Sequence, residues 1–379
     1  MKLIKSGRVH IGNGKVLENT DILIDKDKII RIDKDIENDC EIIDAKGKDI
    51  FPGFIDPISQ YGCIDTTFSI KDTDELSDPI TPEANIVYSF NDEEIMDERL
   101  FEVGITTIGA APGNKNILGG QMAVFSTCGT NSLKMKLKDK VSVKGSASIV
   151  VKDTYGSKQR FPMTRMGVFT KLEELFETSK RNIDKEEKDE KQKVIEKILN
   201  KQMPLFMHVK TEAEINAIMH IAKKYDIKLV ICGAYEAHKC LKQIKEQNVG
   251  VIIGEQNFLN VKAYRGTDLN KISSIMDNGN LMSFSISTDY GVEGKVVYLW
   301  NAMAFYKEGV EAERVVEMMT LNPAKMLGME DSIGSIEVQK RADLVIYEGH
   351  PITHYSAKTF MTIIGGEIVY KRGEQNASN

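Results

Sequence analysis

The sequence is poor in the residues that build disulfide-rich domains, zinc ribbons and membrane spans. Its five cysteines are an odd number in 379 residues and lack C-x-x-C spacing, which indicates reduced thiols. No apolar run approaches the roughly 20 residues of a membrane helix. The first residues, MKLIKSGRVHIGNGK, alternate polar and apolar side chains and lack the apolar block of a signal peptide. These absences predict a cytoplasmic protein that does not enter a membrane.

Positive charge is not in excess either. The chain has 50 Lys and Arg against 56 Asp and Glu, a net charge of -6, and no basic stripe, which argues against binding of nucleic acid or anionic lipid. Hydrophobic residues make up 41% of the chain, enough for one barrel-sized core with a small attachment. We therefore expect a small-molecule partner, and the sequence leaves homo-oligomer formation open.

Short alternating strands occupy both ends of the chain. Turns that contain Gly and Asp separate such strands in the first fifty residues, and the Gly365-Gly366 pair links two strands near the other end as a hairpin. Two β-rich ends that flank a long middle predict one domain built from both termini.

The middle alternates apolar strand-like runs with helical stretches, the pattern of a parallel sheet covered by helices. Eight parallel strands close a barrel, so we predict an α/β barrel here. The third strand has an alternative as half of a local hairpin after Gly119-Gly120. The predicted strands are Ile50–Ile55, Ile105–Ala110, Met122–Ser126, Lys140–Lys144, Leu205–Val209, Lys228–Cys232, Val249–Gly254 and Met282–Thr288.

Several stretches, in order, resemble the amidohydrolase superfamily, and specifically its imidazolonepropionase-like subgroup. The resemblance covers nearly the whole chain. It implies a (β/α)₈ TIM-type barrel over residues 51–333 and a small β-sandwich domain from residues 1–50 and 334–379. The stretches are FPGFID (51–56), DPITPEA (78–84), GITTIGAAPGNKNILGGQ (104–121), PMTRMG (162–167), STD (287–289), LNPAKMLGM (321–329) and GSIEVQKRADLVIYEGHP (334–351).

The resemblance also implies the positions of the metal ligands, and most of these ligands are missing. Members of the family carry His-x-His after strand one, histidines that end strands five and six, and an aspartate that ends strand eight. Ile58 and Gln60 stand at the first pair, and Gly233 stands at the strand-six position. His208 and Asp289 keep the strand-five and strand-eight positions.

Two ligands do not make a tight zinc site, because catalytic zinc normally takes three protein ligands and one water. We therefore expect no resident cofactor. A divalent, zinc-type metal would bind at His208 and Asp289 only with replacement ligands, for which Cys63, Asp65 and Glu255 are the candidates.

The resemblance makes Asp289 and His208 the candidate catalytic residues. In the family, the strand-eight aspartate takes a proton from the attacking water and passes it to the leaving nitrogen. Alternatives are a helix cap for Asp289 and a hydrogen-bonded core role for His208. The other five histidines are expected to be structural.

Five further residues are candidates for substrate binding: Ser59, Gln60, Lys144, Lys210 and Arg165. The first four would form a polar pocket at the barrel mouth with the catalytic pair. Arg165 could hold a substrate carboxylate with its planar guanidinium, or it could hold a loop carboxylate of the chain itself. Lys210 has the alternative of an ordinary surface lysine.

Two functions from different classes are compatible with these residues. The first is a hydrolase of C–N bonds in cyclic amides or related small molecules, with a degenerate metal centre. The second is a catalytically inactive, metal-free barrel that binds a small anionic ligand or a protein partner.

Overall fold

The structure is a computed structural model that describes residues 1–65, 70–254, 284–288 and 295–373. Within these ranges no helix combines the length and the apolar character needed to cross a membrane.

The described strands and helices are numbered in chain order. The strands are β1 Lys2–His10, β2 Val16–Asp25, β3 Lys28–Asp33, β4 Glu41–Asp44, β5 Asp49–Pro52, β6 Phe54–Ser59, β7 Ile64–Asp65, β8 Ile70–Lys71, β9 Ile105–Ala110, β10 Leu118–Ser126, β11 Lys136–Ser146, β12 Leu205–Val209, β13 Leu229–Gly233, β14 Gly250–Ile253, β15 Phe284–Ile286, β16 Leu344–Glu348, β17 Lys358–Ile364 and β18 Glu367–Lys371. The helices are α1 Asp92–Glu98, α2 Ser132–Met135, α3 Ile149–Gly156, α4 Arg165–Arg181, α5 Glu190–Leu199, α6 Glu212–Tyr225, α7 Leu241–Glu246, α8 Lys295–Lys307, α9 Ala312–Met319 and α10 Leu321–Met326.

Strands from both ends of the chain share one sheet, in the order β18-β17-β16-β5-β1-β2-β3, with β4 also paired to β1. The Gly365-Gly366 turn joins β17 to β18 as predicted. The sheet buries aliphatic side chains from both ends, among them Ile4, Ile22, Ile346 and Ile363. A terminal domain built from both ends agrees with this pairing, whereas its sandwich form and its residue boundaries stay predictions.

The second large sheet has the order β6-β9-β10-β11-β12-β13-β14-β15 and fits a TIM-type barrel. Seven of its strands are parallel to one another, but β10 runs antiparallel to both β9 and β11. The prediction of eight parallel strands is therefore wrong at the third strand, and the hairpin alternative describes it better. The physical reason is length, because residues 111–117 and 127–135 are too few for a parallel crossover of about a dozen residues or more.

The first predicted barrel strand, Ile50–Ile55, is two strands. β5 ends at Pro52 in the terminal sheet, and β6 begins at Phe54 in the barrel. Gly53 separates them where a Cβ would overlap the Thr106 side chain. The apolar run is continuous in sequence, so the change of sheet leaves no mark in the hydrophobic pattern.

Asp56 connects the first barrel strand to the residues that follow the last. In the described chain no backbone ladder joins β6 to β15. Instead, Ser287 Oγ lies 2.8 Å from Asp56 Oδ1 and 2.6 Å from the Ile58 carbonyl oxygen, and the Thr288 amide donates to Asp56 Oδ1 at 3.3 Å. Burial raises the pKa of Asp56 to about 7, although hydrogen bonds from Thr288 and Ser287 oppose that rise.

Candidate functional site

The C-terminal ends of the parallel strands and the beginning of β10 form one end of the barrel, which we call the mouth, where such barrels carry their active sites. His208 lies there on β12, buried between Ser146 of β11 and Cys232 of β13 in the strand register. Burial and the charges of Lys144 and Lys210 hold the pKa of His208 well below its ordinary value. The imidazole is therefore neutral at pH 7.

Gly233 stands at the strand-six ligand position, and the structure closes this position to a side chain. Its φ is +75°, in the left-handed region that favours glycine. A Cβ placed there would lie 2.9 Å from His208 Nε2. A histidine at position 233 therefore does not fit while His208 keeps its place.

Ile58 and Gln60, at the strand-one ligand positions, are both buried. Ile58 packs inside the barrel in a cluster that includes Phe206, Cys232 and Ile252. Gln60 Oε1 is a buried acceptor with no hydrogen-bond partner among the described residues. Between them, Ser59 Oγ accepts the Tyr61 amide at 3.0 Å.

Lys144 lies on β11 with its whole side chain buried. Its ammonium donates to the carbonyls of Pro112 and Gly113 at 2.8 and 3.0 Å, and to Asn114 Oδ1. These bonds hold the loop after β9 to β11. Contact between Lys144 and a substrate stays a prediction.

The described residues at the mouth do not fit a family-type metal centre. Ile58 and Gly233 offer no donor atom, and the two ammonium groups near His208 repel a cation. Burial raises the pKa of the Cys63 thiol, which disfavours the thiolate that a metal requires. Asp289 and Glu255 lie outside the described residues, as does the side chain of Asp65, so the degenerate centre stays a prediction.

His10, Glu313 and His350 form a second cluster, where the terminal sheet meets α9, and their potential ligand atoms lie within 4.8 Å of one another. The two nitrogens of His10 face Asp49 at 2.9 Å and Glu313 at 2.7 Å. His350 Nδ1 accepts the Ile352 amide at 3.1 Å, so the neutral ring carries its proton on Nε2, the nitrogen that faces Glu313. A metal at Nε2 would require either an imidazolate or the loss of the bond from the Ile352 amide, and this cluster therefore fits a proton-sharing network better than a divalent ion.

Two of the residues predicted to bind substrate, Lys210 and Arg165, come together at a pocket of about 270 Å³ on the rim of the mouth. We call it the rim pocket. It also contains Lys152 on α3, which no sequence motif indicated because its position depends on how α3 packs beside α4. The residues that line the pocket are Ala147, Ser148, Ile149, Lys152, Arg165, Val168, Lys210, Thr211 and Glu214.

Comparisons with known proteins agree with this architecture. The profile of the Amidohydrolase family matches residues 229–369. Amidohydrolase tasK of Hapsidospora irregularis is 21% identical over 376 residues, which cover 88% of this chain and 38% of that protein. Imidazolonepropionase of Thermoplasma acidophilum is 31% identical over 113 residues, 28% of this chain and 27% of that enzyme. The chain thus spans well under two thirds of the length of either curated relative.

A solved structure resembles the chain over almost its whole length. It is an amidohydrolase from Thermotoga maritima MSB8, with 29% sequence identity and a TM-score of 0.89, and the match covers 98% of this chain and 100% of that one. The likeness includes the terminal sheet as well as the barrel.

Proposed function

We propose that the chain, as a member of the amidohydrolase superfamily, hydrolyses a C–N bond in a small cyclic amide or related molecule and has a degenerate metal centre. The resemblance makes Asp289, which lies outside the described residues, one candidate for the proton transfers, and His208 is the candidate among the described residues. The amidohydrolase and imidazolonepropionase relatives support the reaction class. Side chains at the mouth of the barrel support it as well, through the roles given below.

His208 is the observation that carries the proposal. A neutral imidazole at the C-terminal end of a barrel strand can accept a proton from water as the water oxygen attacks the carbonyl carbon. The negative charge that then develops on the carbonyl oxygen is stabilised by nearby positive charge, which Lys210 supplies. When the C–N bond breaks, the imidazolium returns the proton to the leaving nitrogen.

Gln60 supports an amide as the substrate. Its buried Oε1 has no described hydrogen-bond donor, and an unsatisfied buried acceptor costs about 1–3 kcal/mol. The N–H of a cyclic amide or ureide is a donor of the right kind. Gln60 would then orient the ring while His208 handles the proton.

A second candidate is a barrel that binds such a ligand without turnover. The observation that favours it is the closure of the strand-six position by Gly233 and His208, together with the alkyl side chain of Ile58. A site without zinc would lack the activated water on which the family reaction depends, since a bound zinc lowers the pKa of water from about 15.7 to about 7.

Elemental analysis and a hydrolysis assay test the proposal together. We expect protein purified without chelator to carry well under one equivalent of zinc, manganese or iron, and to hydrolyse members of a panel of carboxylated cyclic amides and ureides in the presence of chelator. His208→Gln should lower that rate by about 100-fold or more, the usual size of a general-base contribution. His220→Gln, which changes an exposed histidine, is the matched control.

Other results decide between the candidates. Binding of panel compounds without turnover would support the second candidate. Near-stoichiometric metal that is lost in Asp289→Ala would show that replacement ligands exist and would overturn the proposal of a degenerate metal centre.

A further inference from the structure

Three cationic side chains converge on the rim pocket from three different elements. Lys152 comes from α3, Arg165 is the first residue of α4, and Lys210 follows β12. In the described ranges, no carboxylate forms an ion pair with Lys152 or Arg165. A concave site lined by charges of one sign raises the local concentration of oppositely charged ligands, so three cations that face one pocket favour an anionic ligand.

The acidic residue of the pocket is already engaged by the chain. Glu214 Oε2 accepts the amides of Lys210 at 2.8 Å and Thr211 at 3.0 Å, and this carboxylate is part of the capping box of α6. Its role is to satisfy the start of that helix. The charge that the pocket presents to a ligand is therefore positive.

The start of α3 adds to this preference. Ser148 is the N-cap residue, but its side chain makes no capping bond to the helix. Its Oγ instead lies 3.0 Å from Ser146 Oγ. The first amides of α3 thus lack a side-chain acceptor at the end of the helix dipole that attracts anions.

From these observations we infer that the rim pocket is a subsite for the carboxylate of a small organic acid. Arg165 can grip a carboxylate with two parallel bonds. Ala147, Ile149 and Val168 line the same pocket and favour a ligand that carries an apolar part next to its charge, unlike inorganic phosphate. The inference rests on the proposed function for the rest of the ligand, a cyclic amide that reaches His208.

Equilibrium binding to the full chain tests the subsite without turnover. The probes are pyroglutamate, a five-membered cyclic amide with a carboxylate, and 2-pyrrolidinone, the same ring without it. We expect Arg165→Gln and Lys152→Gln each to weaken pyroglutamate binding by about 10-fold, the size of one charge-assisted hydrogen bond. Lys171→Gln, which removes an exposed lysine of the same helix as Arg165, should leave the affinity unchanged.

The alternatives give different results. Equal pyroglutamate affinity in all variants, or no measurable binding by the unchanged chain, would overturn the subsite. Inorganic phosphate that binds more tightly than pyroglutamate with the same dependence on Arg165 would overturn the carboxylate assignment. His208→Gln separates this inference from the proposed function, because Arg165-dependent binding without hydrolysis in either protein would retain the subsite and reject the hydrolase.

Discussion

At Gly233, a side chain and the His208 ring would compete for the same space. The sequence resemblance identifies this position as a missing ligand, because glycine has no donor atom. The structure shows in addition that a histidine cannot simply be restored at this position. The backbone of Gly233 is left-handed, and an added Cβ would lie 2.9 Å from His208 Nε2. The local structure is thus adapted to the absence of the ligand.

Gly233→Ala should therefore destabilise the protein more than left-handed geometry alone does. Gly47→Ala is the matched control, since Gly47 has a φ of +73° with no atom within 4 Å of the added Cβ. We expect a loss of about 1 kcal/mol in the unfolding free energy for Gly47→Ala from backbone strain, and about 3 kcal/mol for Gly233→Ala from strain and overpacking. Urea unfolding measures both, and equal losses would mean that His208 moves aside freely.

The family resemblance identified His208, but not its electrostatic state. The resemblance places the histidine of PLFMHVK at the strand-five position, whereas its low pKa depends on burial and on the charges of Lys144 and Lys210 in the folded chain. Lys152 was missed for a similar reason. Its neighbours in the rim pocket come from segments that are distant in sequence, and only the packed helices bring them together.

At the scale of the elements, side-chain hydrogen bonds connect β6 to the residues that follow β15. No backbone pairing joins these two strands in the described part of the sheet. Asp56 accepts from Ser287 and Thr288, and its carboxyl is fully buried. Because the folded pKa of about 7 exceeds the ordinary value of about 3.9, the folded state holds a proton that the unfolded state releases between these pH values. Stability from this group is therefore lost as the pH rises from about 4 to about 7.

Asp56→Asn should remove this loss of folding stability with rising pH. The unchanged chain is expected to be less stable at pH 7.5 than at pH 4.5 by roughly 3 kcal/mol from Asp56, and the variant should show a smaller difference. Denaturant unfolding at the two pH values provides the measurement, with Asp72→Asn as a control at an exposed aspartate. If the variant and the unchanged chain show the same dependence, Asp56 is ionised throughout this range.

Most elements could be predicted because their apolar runs are bounded by turns. Strands β9 and β12 have the predicted bounds, and the Gly365-Gly366 hairpin is present. The direction of β10 could not be deduced from hydrophobicity, because a buried parallel strand and a buried antiparallel strand have the same composition. The lengths of the connections on either side of β10 do determine its direction, because both are too short for a parallel crossover.

On the scale of the whole molecule, a charged network joins the terminal sheet to the barrel. Arg8 and His10 of β1 both bond Asp49 of β5, and His10 also bonds Glu313 of α9. Burial opposes protonation of His10, but the bonds and charges of Asp49 and Glu313 outweigh it and raise the pKa. Burial likewise opposes the ionisation of Glu313, but His10 and His350 outweigh it and lower the pKa of Glu313 to about 2.

These shifts predict an alkaline weakening of the junction. The raised pKa of His10 means that its contribution is fully present below about pH 6.5 and is lost as the pH rises through the folded-state value. The lowered pKa of Glu313 gives stability above about pH 4.3 that is lost as the pH falls towards 2. His10→Gln should therefore reduce the decline in stability between pH 6 and pH 9.

Unfolding in urea across that range provides the measurement, with His220→Gln as the control. Subtraction of the variant curve from that of the unchanged chain removes the contribution of Asp56, which both share. A decline that is identical in His10→Gln would show that His10 is neutral in the folded protein.

The antiparallel placement of β10 also has a consequence for the order in which the chain folds. Strands β9, β10 and β11 form a meander within residues 105–146, whose contacts are local, whereas the parallel pairs require crossovers and Asp56 reaches a residue 231 positions away. Loop-closure entropy favours the local contacts first. The meander is therefore the expected nucleus, onto which β12 to β15 add in turn, and the contact between Asp56 and Ser287 that completes the barrel is the last to form.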